Sequence, residues 1–348
     1  MAVRFIGFYK GTELENNLTF GLEKGNNVNR DLENIFNIRY VKLHFTLMFT
    51  DNADIPQNKA SALRGGIGEM MLRANCIRDR RCENCDFKSE CVVQRIMYSK
   101  FEKKPAFVTE GESVGYVVTC RDYRSFVQTG DRISFELLLL GKNIVYLNQY
   151  LQSIYALGQN GIGKDHAHFV VSSVTNTRGE PILENGNIYM ERYQVENASE
   201  YVAYRMKQLA PGQSGMYKIE FQTPVTLKYQ NEFLTELHPE AFMRAVKRRI
   251  YMLDCFENID GEDYYYSERK VPDMIGQDTY LYSVNRMSFR KNRKITLKGL
   301  RGYALLDNVD EEQLALLLAG ELVHIGKNTS FGFGKYRVYN PQTAHQCG

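Results

Sequence analysis

Tryptophan is absent from this 348-residue chain, proline occurs only eight times, and 44 Lys and Arg stand against 41 Asp and Glu for a formal net charge of +3. So few prolines exclude a collagen-like chain, and seven cysteines are too few for a disulfide-stapled scaffold. Apolar residues at 43% and charged residues at 24% exclude a disordered one. No stretch approaches the roughly 18 to 20 consecutive apolar residues of a membrane span. Met1-Ala2-Val3-Arg4-Phe5 lacks the pattern of a secretory signal, so a cytoplasmic location without a membrane partner is expected. At roughly 150 residues per domain the length predicts two domains, each able to bury a core.

A small net charge leaves nucleic-acid binding open, because binding depends on where the charges sit. Arg286, Arg290, Lys291, Arg293, Lys294, Lys298 and Arg301 follow one another with no acidic residue between them. Arg244, Lys247, Arg248 and Arg249 cluster on an expected helix. Each group reads either as a solvated positive face or as a phosphate-binding surface. The 23 Tyr and 19 Phe favour RNA or single-stranded nucleic acid, where rings stack on bases.

Four of the seven cysteines fall within sixteen residues, as Cys76-x5-Cys82-x2-Cys85-x5-Cys91. The central pair is close enough to chelate one ion, and a short loop can bring the outer two round to complete a tetrahedron. The intervening residues are almost all polar, so the segment has little apolar surface with which to fold itself. Structural zinc is the expectation. An iron–sulfur cluster, or four reduced thiols in a mobile loop, are the alternatives.

Val41, Leu43, Phe45, Leu47 and Phe49 alternate with Lys42, His44, Thr46 and Met48, the signature of a half-buried strand. A helix is expected over Lys59–Ala74, where Gly65, Gly66 and Gly68 each cost about 1 kcal/mol relative to Ala and so imply close approach of a neighbour or a ligand. Strands near Gly115–Val118 and over Ile133–Leu140, a helix over Ile144–Leu157, the glycine-rich stretch Gly158–Lys164 and a strand over His168–Val174 follow. The turn-rich region from Asn176 to Gly215 is expected to divide the chain. Beyond it the order repeats: a strand at Tyr217–Thr223, a helix carrying Phe242, Val246, Ile250 and Leu253, strands around Tyr280–Phe289 and Ile295–Leu306, a helix capped by Asp310, a glycine loop and a strand at Tyr336–Tyr339. The expected fold is α+β, with the β-α-β-β-α-β ferredoxin-like order present twice. Residues 1–177 hold the first domain with the Cys insertion at 76–91, residues 178–214 a linker, and residues 215–348 the second domain with its glycine loop at 324–336.

Neither glycine loop sits between a strand and a following helix, as a dinucleotide or Walker loop must. The longer run Leu322-Val323-His324-Ile325-Gly326-Lys327-Asn328-Thr329-Ser330-Phe331-Gly332-Phe333-Gly334-Lys335-Tyr336 resembles the C-terminal glycine loop of the CRISPR-associated RAMP endoribonucleases, the sixth Cas family, which process precursor CRISPR RNA. Leu63-Arg64-Gly65-Gly66-Ile67-Gly68 followed by the four Cys is similar to the N-terminal half of the zinc-type members, and Thr223-Pro224-Val225 with Arg248-Arg249 to their second half. The resemblance implies two RRM-like domains of the RAMP type that bind repeat RNA and cut it once per repeat without a catalytic metal. The ribose 2′-OH would be the nucleophile, leaving a 2′,3′-cyclic phosphate and a 5′-OH. Zinc held by Cys76, Cys82, Cys85 and Cys91 would be structural, having no open position for water. The implied partners are the precursor CRISPR RNA repeat and other CRISPR effector or adaptation proteins. A catalytically silent RNA-binding subunit on the same fold is the rival reading.

Such chemistry needs a histidine to move protons and a Lys or backbone N–H groups to stabilise charge on phosphate. His324, with Lys327, stands at the mouth of the glycine loop, and His44 lies on the polar face of the first strand; these three are the expected catalytic residues. Many family members carry their histidine on the first helix, where this chain has none. Gly326, Gly332, Gly334 and Lys335 of the loop are expected to bind RNA, together with Arg64, Arg290, Lys291, Arg293 and Lys294. His166 and His168, flanking the first glycine loop, are further candidates for RNA contact.

Overall fold

The computed structural model describes residues 37–108, 112–209, 215–259, 270–288 and 293–341. Arg290, Lys291, His345 and Cys347 lie outside them.

The first half opens with β1 (Arg39–Phe49), whose burial alternates as its sequence does. It continues through α1 (Lys59–Asn75), the short α2 (Val92–Met97), β2 (Tyr116–Thr119), β3 (Arg132–Leu140), α3 (Leu147–Asn160) and β4 (Phe169–Thr175). The strands pair antiparallel in the order β2-β3-β1-β4. That is the arrangement of the β-α-β-β-α-β unit, with both helices on one face. Val41, Leu43, Phe45, Leu47 and Phe49 meet Leu63, Ile67 and Met71 of α1 and Ile154 and Leu157 of α3 in the first core. The expected helix over Ile144–Leu157 begins later, because Gly141–Tyr146 forms a 3-10 turn first.

Residues 178–214, expected only to connect, contribute structure. β5 (Pro181–Glu184) and β6 (Asn187–Ile188) extend the first sheet beyond β4, and β7 (Glu196–Asn197) pairs with the start of β1. α4 (Ala198–Leu209) contacts the second half. Its Arg205 donates to Glu321 at 2.9 Å, both residues being buried, while the Glu321 carboxylate also accepts from Arg337 at 2.8 Å and from the Val338 amide at 2.7 Å.

The second half repeats the unit with β8 (Tyr217–Val225), α5 (Pro239–Glu257), β9 (Asp273–Ser288), β10 (Arg293–Asp307), α6 (Glu311–Val323) and β11 (Tyr336–Tyr339), its strands in the order β9-β10-β8-β11. Asp310 caps α6 as expected. Its carboxylate accepts from the Gln313 amide at 2.8 Å, and the Gln313 side chain accepts from the Asp310 amide at 3.0 Å.

Alternation along β1 and β3 also joins the halves. Tyr40, Leu138 and Leu140 point away from the first core and pack in the second, with Phe242, Val246 and Leu253 of α5. Buried Arg249 of α5 adds a polar tie: its Nε donates to Val323 O at the end of α6 (3.1 Å) and Nη2 to Val114 O of the first half (3.2 Å). Arg248 lies over the Phe107 ring and donates to Phe107 O at 2.8 Å. The basic cluster on this helix is therefore in part a structural joint.

Candidate nucleic-acid interface

A cleft of about 1480 Å³ runs between α1 and β9, with Phe331 of the glycine loop in its wall. Arg64 from α1 and Arg286 from β9 place their guanidinium carbons 4.5 and 4.3 Å from the centre of the Phe331 ring. Arg64 donates to Ser113 at 3.1 Å, yet the Nε of each arginine is buried without a partner, and among the described residues neither guanidinium has a carboxylate beside it. Burial, and then the neighbouring Arg64 charge, lower the pKa of Arg286. Nearer the rim, Arg73 and Arg80 both pair with Glu69, at 3.0 and 2.9 Å. Tyr123 and Tyr282 also line the cleft, with the Arg301 guanidinium 5.8 and 5.4 Å from their ring centres.

The three glycines of α1 divide by environment. A Cβ at Gly66 would lie 2.5 Å from Leu157 of α3, and one at Gly68 would lie 2.8 Å from Met97 of α2, so helix packing accounts for both. A Cβ at Gly65 would meet nothing within 4 Å. Gly65 lines the cleft.

On the face of the first sheet turned away from its own helices, His44 stands opposite Glu136 in register. Lys335 reaches across from the second half to pair with Glu136 at 2.5 Å. Burial would raise the Glu136 pKa, but Lys335 and Lys42 overcome it and hold the carboxyl at about 2. Desolvation lowers the pKa of His44, partly offset by Glu136, so the half-buried imidazole is neutral near pH 7.

The glycine loop is folded onto protein. The amide of Gly332 donates to Thr329 O at 2.8 Å, Gly334 to Pro224 O at 2.9 Å, Phe333 to Asn328 O at 3.4 Å and Lys327 to Thr226 O at 3.0 Å. Gly334 has φ 85°, and a Cβ there would lie 2.0 Å from Ile325 O; at Gly332, φ 82°, it would lie 2.6 Å from Val118 O of the first half. These glycines permit a tight turn and close contact between the halves.

Residues 219–336 match the model of the CRISPR-associated endoribonuclease Cas6 family. The match lies wholly within the second half. Residues 37–199 match a model described as an N-terminal domain. An uncharacterised protein of Archaeoglobus fulgidus is 21% identical over 308 residues, covering 87% of this chain and 99% of its own. Among solved structures, a chain of a partial Cas6-RT-Cas1–Cas2 complex superposes with a TM-score of 0.54 at 13% identity over 87% of this chain and 47% of its own. A Cas6 product complex superposes with a TM-score of 0.50 at 10% identity, over 86% and 99%. The chain thus spans about half the length of the first of these structures, and the likeness to both is one of fold.

Within the matched residues, His324 is only 3% exposed and its Nδ1 lies 3.0 Å from Phe333 O. Burial first, and the Lys335 charge second, lower its pKa to about 3. His324 therefore does not meet the expectation of a proton-transferring residue at the mouth of the loop: it is a neutral ring sealed into the joint, at a φ of 59°. Lys327 is exposed and Lys294 lies exposed on β10, whereas Lys335 is engaged with Glu136. Arg293 opens β10. Gly326, with φ 77°, packs against Thr226 O, so the expected phosphate cradle at Gly326, Gly332 and Gly334 is closed by the protein's own backbone. Arg64 lines the cleft. His166 lines the cleft as well, its Nδ1 3.0 Å from Asn160 O, while His168 pairs with Asp51 at 2.5 Å. The sequence marks Arg286 only as part of a charge run and gives no signal for Phe331; the two meet in the cleft, which no local pattern displays.

Cys76 ends α1, Cys82 lies in a 3-10 turn, and Cys91 precedes α2. None of the four cysteines of the insertion is in a disulfide, and among the described residues no group of three or more His, Cys, Asp or Glu converges to hold a metal. The donor set suits zinc, but its arrangement here does not fit the expected four-thiolate site. No helix among the described residues is long and apolar enough to cross a membrane.

Proposed function

We propose that the protein acts in CRISPR RNA processing, binding precursor CRISPR RNA and cutting it once per repeat without a catalytic metal. The match of residues 219–336 to an endoribonuclease family, on a fold that repeats one unit twice, carries this reading. In the proposed reaction the ribose 2′-OH loses its proton to neutral His44 as its oxygen bonds to phosphorus. The bond from phosphorus to the 5′ oxygen breaks, and that oxygen takes a proton from solvent, leaving a 2′,3′-cyclic phosphate and a 5′-OH. Lys335, whose ammonium keeps further N–H donors beside its pair with Glu136, would stabilise charge on the phosphoryl oxygens. Proteins of the kind named with the neighbouring complex, Cas1 and Cas2, are the proposed partners beside the RNA.

The test is incubation of the full chain with end-labelled repeat RNA in EDTA. A single cut ending in a cyclic phosphate is expected, and His44→Ala should slow single-turnover cleavage by roughly 10²- to 10⁴-fold with little change in affinity. Because burial lowers the His44 pKa, the rate should be level near neutral pH and fall only in acid. Binding without cutting would indicate the silent subunit, and absence of binding would overturn both.

A further inference from the structure

We propose that Arg64 and Arg286, set around Phe331, seat a backbone phosphate of single-stranded RNA, with Gly65 as the point where that strand passes close to α1. The inference rests on the RNA-processing reading and locates part of its substrate. Two half-buried guanidinium groups beside one ring, with no carboxylate among the described residues to neutralise them, are an unfavourable arrangement in the free protein. An anion relieves it. Arg73 and Arg80 on the same cleft share Glu69 and need none. A phosphodiester fits this chemistry, since planar guanidinium groups donate paired hydrogen bonds to phosphate oxygens. Tyr123 and Tyr282, half-buried along the cleft and flanking Arg301, offer ring faces to unpaired bases, which favours a single strand over a duplex.

Gly65 supplies an independent observation. Glycine weakens a helix interior relative to alanine, and unlike Gly66 and Gly68 this one has no neighbour among the described residues that requires it. A glycine at a helix position that faces the cleft, with no described side chain against it, is explained by a ligand passing there.

The experiment measures binding of a short fluorescein-labelled single-stranded RNA, and of a blunt RNA duplex, by the full chain over a range of salt. Arg286→Ala should weaken single-strand binding roughly tenfold and lower the salt slope by about 0.7, the loss of one phosphate contact. Arg286→Lys, which keeps the charge but not the planar fork, should fall between. Gly65→Leu is the decisive variant: it fills open space, so the melting temperature should hold or rise while single-strand affinity falls roughly tenfold. If the parent binds RNA and both Arg286→Ala and Gly65→Leu match its affinity and slope, the seat is elsewhere and the inference fails alone. Equal losses on the duplex would overturn the single-strand assignment. A parent that binds neither RNA would overturn the RNA-processing reading itself.

Discussion

His324 shows how far a residue's neighbours in sequence can mislead about its chemistry. The run around it carries the family resemblance, yet burial and proximity to Lys335 decide its protonation, and neither is visible in a string of letters. His324→Ala should lower stability by about 2 kcal/mol, chiefly through the cavity left behind. The folded variant should still cut RNA within about threefold of the parent rate, whereas His44→Ala should not. The ring also sets a pH dependence. With an ordinary value near 6.5 when unfolded and about 3 when folded, the unfolded chain binds the extra proton between those limits, so stability falls as pH drops from about 6.5 to 3. Denaturant titrations should show the variant flattened across that interval, with the Glu136 loss between about 4.5 and 2 still present. Asp254 works the other way: buried in α5 with one oxygen unpartnered, its carboxyl is pushed up to about 8, so stability falls as pH rises from about 3.8 to 8. Asp254→Asn should therefore stabilise the protein at pH 7 by an amount on the order of 2 kcal/mol, and most of that gain should vanish at pH 4.

Elements were legible where their period was long enough to read. The β1 alternation, the apolar face of α5 and the Asp310 cap each follow from local chemistry and appear in the structure where expected. The interval from 178 to 214 was not, because strands of two to four residues show too little alternation and α4 is recognised by the second half rather than by its own pattern. Beside its buried Ala198, Val202 and Leu209, α4 is tied to the second half through Glu321, which accepts from Tyr201, Arg205 and Arg337 and from the Val338 amide. Removing one side of a buried charge network leaves the other desolvated and unpaired. Glu321→Ala should accordingly cost about 3–5 kcal/mol, and hydrogen exchange should quicken first in α4 and β11. Protection unchanged in α4 would show that its apolar contacts alone hold it.

At the scale of the whole molecule, sequence reading counted two repeated units correctly but could not show that they share a core. Register decides this: Leu139 and Leu140 are adjacent on β3, yet Leu139 packs in the first core with Val41, and Leu140 with Tyr40 in the core built mainly by the second half. A strand serving both halves couples their stabilities, and Arg249 spans the same joint. The cleft depends on that coupling, since Arg64 comes from one half and Phe331 and Arg286 from the other. The protein should therefore unfold in one transition. Leu139→Ala and Leu140→Ala should each lower its single midpoint, by about 2–5 kcal/mol in free energy. In both variants, slow-exchanging amides of α3 and α6 should lose protection together. If Leu139→Ala released α3 alone while α6 kept its protection, the halves would be independent folding units, and the cleft would owe its shape to something other than their shared core.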